Sequence, residues 1–210
     1  MTAGLEFYTN PMSRGQIVRW MIEEIGEPYE THIIGYDEMG GDDYRAVNPM
    51  MKVPAIVHGD RTVTECAAII AYLADVFPAA GLAPRPEEKA DYYRWLFFAA
   101  GPLEQALTAK AMKFEPTAEQ GRSVGFGDFD RTVDTLADHL ADRDYVCGSR
   151  FTAADVYVGS HVMWGMEFGT LPRSPSFEAY AARLGTREAL RRGKEIDNGL
   201  IAEMNAASPA

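Results

Sequence analysis

Lys52 to Cys66, KVPAIVHGDRTVTEC, holds the two features on which the fold turns. Pro54 stands where an apolar run begins. Proline has no N–H to give to a ladder, so it belongs at the start or edge of a strand. Ala55 to His58 then reads as that strand, Gly59-Asp60 as a two-residue hairpin turn, and Thr62 to Thr64 as the antiparallel return. From Glu65 the period changes, with Cys66, Ile69, Ile70 and Leu73 on one helical face. The start of that helix offers free amide donors and the positive end of a dipole to a carboxylate, while Glu65 can accept from an ammonium. With a cis bond before Pro54, the Val53 backbone N–H and C=O face outward and can pair with an extended peptide. Together these features describe a site for a small zwitterionic peptide. An ordinary strand start followed by an acidic first turn describes the same residues equally well.

Upstream, Leu5-Glu6-Phe7-Tyr8 alternates as a half-buried strand should. Asn10-Pro11 reads as an N-cap with proline at the first helical position. Ile17, Val18, Met21, Ile22 and Ile25 share one face of the helix, and Gly26 with Pro28 ends it. A second strand, Glu30 to Ile34, follows at once, so the two strands are expected to run parallel around a crossover helix. Gly35 to Asn48 is an acidic, glycine-rich loop with room for a helical turn. The N-terminal third is one small mixed sheet with helices.

Downstream, Phe77 to Pro86 is a proline-rich linker, and the chain beyond it is helical almost to its end. Residues 88–113 carry Tyr93, Leu96, Phe97, Ala100, Leu103 and Leu107 on one stripe, with Tyr92, Trp95, Phe98 and Pro102 on another. A helix apolar on two sides needs two partners, and Gly101-Pro102 should kink it. Phe129, Val133, Leu136, Ala137 and Leu140 mark a further helix. Phe151-Thr152-Ala-Ala-Asp155-Val156 carries a capping box and a hydrophobic staple, a helix-nucleating device with no chemistry of its own.

The totals exclude several function classes. A formal charge of −11 over 210 residues repels nucleic acid and anionic membrane surfaces. No apolar run approaches the roughly 20 residues that cross a bilayer, and MTAGLEFYTN has no secretion-signal pattern, so cytoplasmic residence is expected. Cys66 and Cys147 form no CxxC pair, and His32, His58, His139 and His161 show no metal-ligand spacing, so no metal is expected.

Three motifs in order along nearly the whole chain carry a resemblance. NPMMKVPAIVHGDRTVTECAAIIAYL closely resembles the glutathione-binding stretch of the cytosolic glutathione transferases, FTAADV resembles their C-terminal capping motif, and YTNPMSRGQIVRWMIEEIGEPYE resembles the first strand and helix of bacterial members. The resemblance implies an α/β plus all-α architecture. Residues 1–77 form a thioredoxin-like glutathione-binding domain, 78–86 a linker, and 87–210 an all-helical domain contributing the electrophile pocket. It also implies a homodimer, glutathione as co-substrate, a small hydrophobic electrophile as partner, and detoxification as the role.

Carried over residue by residue, the resemblance makes Pro54 the family's cis-proline and has Val53 pair with the cysteinyl backbone of glutathione. Glu65 and Cys66 hold the γ-glutamyl end, and Lys52 assists at the glycyl carboxylate. Cys66 departs from the family's serine: it either simply fits there or forms a mixed disulfide with glutathione. For the group that lowers the thiol pKa, alignment through Gly26 puts Tyr8 at the tyrosine-type position and Met12 at the serine-type one. Ser13 lies one residue beyond, near a helix N-terminus that favours a thiolate. Ser13 is the first candidate and Tyr8 the second, with Arg14 either adding positive potential or pairing with an acid. Trp95, Phe98, Pro102, Gln105, His161 and Trp164 are the candidate electrophile contacts, expected to lie between the domains. Each is equally at home in a core.

Three other readings compete with conjugation. A glutathione-dependent disulfide reductase or peroxidase shares the fold, but no cysteine stands near the first helix to serve a thiol transferase. Loss of Glu65 or of Val53-Pro54 would signal a non-catalytic glutathione-binding or interaction protein of the same fold, and both are present. An unrelated helical scaffold would not bind glutathione at all.

Overall fold

The structure, a computed structural model, describes residues 4–207. Its contacts divide the chain into two units: the chain up to Gly81 joined by the chain from Arg187 onward, and Leu82–Thr186 between them.

The first unit is built on a four-stranded sheet in the order β2-β1-β3-β4, made of β1 (Leu5–Thr9), β2 (Tyr29–Ile33), β3 (Ala55–His58) and β4 (Arg61–Thr64). β1 and β2 pair in parallel, as a crossover helix requires, and β3 pairs antiparallel with both β1 and β4. The hairpin turns at Gly59, whose φ of 64° lies in the left-handed region open to glycine. Leu5, Phe7 and Ile56 point into a core shared with Ile17, Val18, Met21 and Ile22 of α1 (Gly15–Ile25) and Ile69, Ile70 and Leu73 of α3 (Cys66–Val76). Glu6 and Tyr8 alternate onto the opposite face of the sheet, where α2 (Asp42–Val47) contributes the buried Tyr44.

Two boundaries differ from the sequence reading. Helix α1 begins at Gly15 rather than Pro11. Asn10 spends its side chain on a turn instead of a cap: its Oδ1 accepts the Met12 N–H at 2.9 Å and its Nδ2 donates to the Ile34 carbonyl at 3.0 Å. The last helix, α9 (Glu188–Ala207), leaves the helical region and packs on α1 in the sheet unit. Arg19 of α1 is 1% exposed, and its Nε donates to Asp197 Oδ1 of α9 at 3.2 Å. A guanidinium Nη of Arg19 also donates to Tyr29 Oη and Thr31 Oγ1, both at 2.9 Å. Arg187 grips Glu24 through two hydrogen bonds at 2.5 and 2.7 Å. A buried guanidinium without such partners would cost several kcal/mol, on the order of 3–5, so these contacts fix where α9 lies.

The second unit is helical: α4 (Lys89–Phe98), α5 (Glu104–Ala111), α6 (Phe129–Leu140), α7 (Ala153–Glu167) and α8 (Pro175–Gly185). The expected kink at Gly101-Pro102 is a π-type turn over Ala99–Leu103, which absorbs the hydrogen bond that Pro102 cannot make. The capping box is present at the start of α7. Buried Asp155 accepts from the N–H groups of Thr152 and Val146, each at 2.8 Å, and from the Tyr180 hydroxyl at 2.9 Å. Among the described residues no helix is long and apolar enough to cross a membrane, and no group of three or more His, Cys, Asp and Glu side chains is arranged to hold a metal ion.

Candidate functional site

One end of the sheet gathers the expected site. Tyr8 pairs with Ala55, and Ala55 with Thr64. The loop leaving β1, the stretch entering β3 and the start of α3 after β4 therefore meet at the same edge. The Val53-Pro54 bond is cis, as the family resemblance implies. No hydrogen bond among the described residues engages the Val53 backbone N–H or C=O. Glu65 adopts φ 68° and ψ 117°, an unusual conformation for a residue with a Cβ, and its exposed carboxylate enters no ion pair among the described residues. Lys52 is exposed on the same stretch.

Ser13 sits half-buried two residues before α1. Its Oγ accepts the Gly15 N–H at 3.0 Å and donates to the Asn10 carbonyl at 2.6 Å. The first bond holds the oxygen in place, while the hydroxyl hydrogen can swing from Asn10 toward an incoming sulfur. Gly15 is required by space here: a Cβ on it would lie 1.9 Å from Thr9 Oγ1 and 3.1 Å from Ser13 Oγ. Cys66 is buried and its thiol donates inward to the Arg14 carbonyl at 3.5 Å. That contact ties the start of α3 to the residue after Ser13, and it favours the reading of Cys66 as a small residue that fits. The other thiol, Cys147, is pushed up to about 12, mainly by burial, and stays protonated.

Tyr8, the second candidate for activating the thiol, has its hydroxyl turned to a carboxylate. Its hydroxyl donates to Glu6 Oε2 at 2.8 Å, and its ring stacks on His32 at 4.5 Å between centroids. Burial first, then that hydrogen bond and the nearby carboxylates, push its phenol up to about 12. Ser13 donates to a neutral carbonyl, whereas a hydroxyl beside a carboxylate, in negative potential, is less suited to stabilise a thiolate.

Two of the expected electrophile contacts have little surface to offer. Trp95 is 0% exposed, enclosed by Phe98 and His139 at 5.1 and 4.1 Å between rings, so it is core. His161 is 6% exposed, and both ring nitrogens are engaged, Nδ1 with the Tyr157 carbonyl at 2.9 Å and Nε2 with Glu104 Oε2 at 2.6 Å. Phe98, Pro102 and Trp164 are half-buried and Gln105 is exposed, so these four retain surface to offer.

Sequence reasoning missed Tyr44 and Asn48. The Tyr44 hydroxyl and Asn48 Nδ2 both donate to the Lys52 carbonyl, at 2.6 and 2.7 Å. The Asn-Pro pair of the motif signalled Asn48, whereas nothing distinguished Tyr44 within an acidic loop.

Comparison with known proteins agrees with this layout. Residues 12–76 match the family model for the glutathione S-transferase N-terminal domain, and residues 90–164 match that for the C-terminal domain. Glutathione S-transferase GstA of Escherichia coli O157:H7 is 35% identical over 129 residues, covering 59% of this chain and 62% of the relative, slightly under two thirds of its length. The theta class glutathione S-transferase of Xanthomonas axonopodis pv. citri, solved with glutathione bound, is 26% identical with a TM-score of 0.70, covering 92% of this chain and 97% of that one. A glutathione transferase family member from Pseudomonas fluorescens Pf-5, solved with two glutathione molecules, is 25% identical with a TM-score of 0.74, covering 92% and 93%. With a thioredoxin-like sheet unit, a helical unit and both domain models matched in order, the chain belongs to the glutathione S-transferase family of transferases.

Proposed function

We propose that the protein conjugates the thiolate of glutathione to small hydrophobic electrophiles, with Ser13 as the activating hydroxyl. The observation that carries this reading is the convergence, at one sheet edge, of an anchored Ser13 Oγ, an unpaired Val53 backbone and the exposed Glu65 carboxylate. Val53 pairs with the cysteinyl backbone, Glu65 and the first amides of α3 hold the γ-glutamyl end, and Lys52 faces the glycyl carboxylate. Ser13 then donates to the sulfur, the thiol proton passes to solvent, and the thiolate attacks the electrophile. Phe98, Pro102, Gln105 and Trp164 are the side chains proposed to contact the electrophile.

The proposal includes a cytoplasmic, detoxifying homodimer. Tyr93 and Phe97, one turn apart on α4, are 46% and 69% exposed, an apolar face that a second copy would cover. Glutathione-dependent disulfide reduction or peroxidase chemistry is the second reading, favoured by the two glutathione molecules in the Pseudomonas structure.

Titration of glutathione into the protein across pH, following the ultraviolet absorbance of the bound thiolate, tests both. A thiol pKa well below its solution value, restored in Ser13→Ala, supports conjugation. Binding with an unshifted pKa turns the reading toward reduction or simple binding, and no binding overturns it.

A further inference from the structure

The backbone of Val53 is aimed by groups outside the binding edge. The Lys52 carbonyl and the Val53 N–H belong to one planar trans peptide and point in opposite directions across it. Whatever holds the carbonyl therefore sets the direction of the N–H. Two donors hold it: the Tyr44 hydroxyl at 2.6 Å and Asn48 Nδ2 at 2.7 Å. The donors are themselves fixed. Asn48 Oδ1 accepts the Met50 N–H at 3.0 Å, and its carbonyl accepts the Met51 N–H at 2.8 Å. The Asn48 N–H returns to the Tyr44 carbonyl at 2.8 Å, so the two donors ride on α2 and its C-terminal cap. Met51, inside this cap, takes φ 54°, a conformation held against the ordinary preference of a residue with a Cβ. Tyr44 is 5% exposed, with its ring 6.1 Å from that of Tyr8 on the open face of the sheet. Burial pushes its phenol up to about 12, so it remains a donor through the working pH range.

We propose that Tyr44 and Asn48 are positioning residues of the glutathione site, acting through the Lys52 carbonyl to aim the Val53 N–H at the cysteinyl carbonyl of the bound tripeptide. This rests on the glutathione reading of the site and adds to it two residues that never touch the ligand. Lys52 thereby has two separate roles: its side chain addresses a carboxylate, and its main chain carries the alignment. The arrangement also links glutathione affinity to the seating of α2.

Calorimetric titration of wild type, Tyr44→Phe and Asn48→Asp tests the proposal. Asp keeps the oxygen that accepts from Met50 and replaces the donor with a charged oxygen that repels the Lys52 carbonyl. Each protein is titrated with glutathione and with an analogue whose cysteinyl–glycyl amide is an ester, a poorer acceptor at the carbonyl that Val53 addresses. Losing one such hydrogen bond should weaken glutathione binding about fivefold in each variant. The preference for amide over ester should shrink in both, because the two changes act on the same contact. Equal affinity for glutathione in all three proteins overturns the proposal. So does an unchanged amide-over-ester preference alongside weaker binding, which marks a general structural role. Should wild type bind neither ligand, the glutathione reading itself fails. Melting curves identify a variant that does not fold, and the other then decides.

Discussion

Ser13 and Tyr8 both carry a hydroxyl within the first stretch of the chain, and their surroundings separate them. Ser13 Oγ is held by the Gly15 N–H beside a helix N-terminus, whereas Tyr8 donates to a carboxylate. Ser13→Ala should therefore return the bound thiol toward its solution pKa and lower kcat/KM by about 10- to 100-fold, the usual range for a hydrogen bond to a charged group. Tyr8→Phe should stay within about twofold of wild type, since its hydroxyl bonds elsewhere. Steady-state kinetics with a chromogenic electrophile, beside the thiolate titration, checks both. The strand start after Pro54 and the helix start after Glu65 were legible in the sequence because each follows a local pattern. The choice between Ser13 and Tyr8 was not legible. It depends on which sheet face Tyr8 takes and on Glu6 standing two residues away on that same face. Tyr44 was hidden for a similar reason: its partner is a main-chain carbonyl, which leaves no mark on side-chain periodicity.

At the scale of elements, the start of α1 is set by a steric limit. A methyl at Gly15 meets Thr9 Oγ1 at 1.9 Å, so Gly15→Ala must turn the buried Thr9 side chain or shift β1 or the Ser13 turn. We expect it to lose about 1–3 kcal/mol in urea denaturation, as overpacked sites do, and to blunt thiol acidification as Ser13 moves. The contact between α1 and α9 carries a pH dependence. Burial pushes the Asp197 carboxyl up to about 6 although Arg19 opposes the shift, while in the unfolded chain an aspartate titrates near about 4. The folded state thus holds the proton more tightly, and the associated stability is fully present below about pH 4 and lost as pH rises through about 6. Asp197→Asn has nothing to titrate there. Between about pH 4 and 7 its melting temperature should change less than that of wild type, by a few degrees, roughly what 1–2 kcal/mol is worth in a chain of this size. The start of α1 was misread because Asn10-Pro11 satisfies the rules for a helix start and for a turn alike. The backbone chose the turn once Asn10 could also reach Ile34.

For the whole molecule, the order of elements and the change from sheet to helix after the proline-rich linker were readable from periodicity alone. The allegiance of α9 was not. Its buried positions include Gly193 and Asp197 beside Ala189 and Leu190, so no apolar stripe advertises a partner, and the contacts that fix it lie with residues of α1 far away in sequence. Hydrogen exchange should report this directly: amides of α9 should open together with those of α1 and β1, and independently of α7 and α8. Saturating glutathione should slow exchange in α1 and α9 in step, because a ligand that binds only the folded unit stabilises all of it, by about 2.7 kcal/mol at a hundredfold excess over Kd. The split unit also imposes an order on biosynthesis. The helical unit is continuous and complete once Thr186 has left the ribosome, whereas the sheet unit, begun first, still lacks the helix that pairs Arg19 and Glu24. Domains ordinarily mature from the N-terminus as they emerge. Here the sheet unit must wait for α9, and until that helix emerges Arg19 has the Tyr29 and Thr31 hydroxyls as partners but no carboxylate from Asp197.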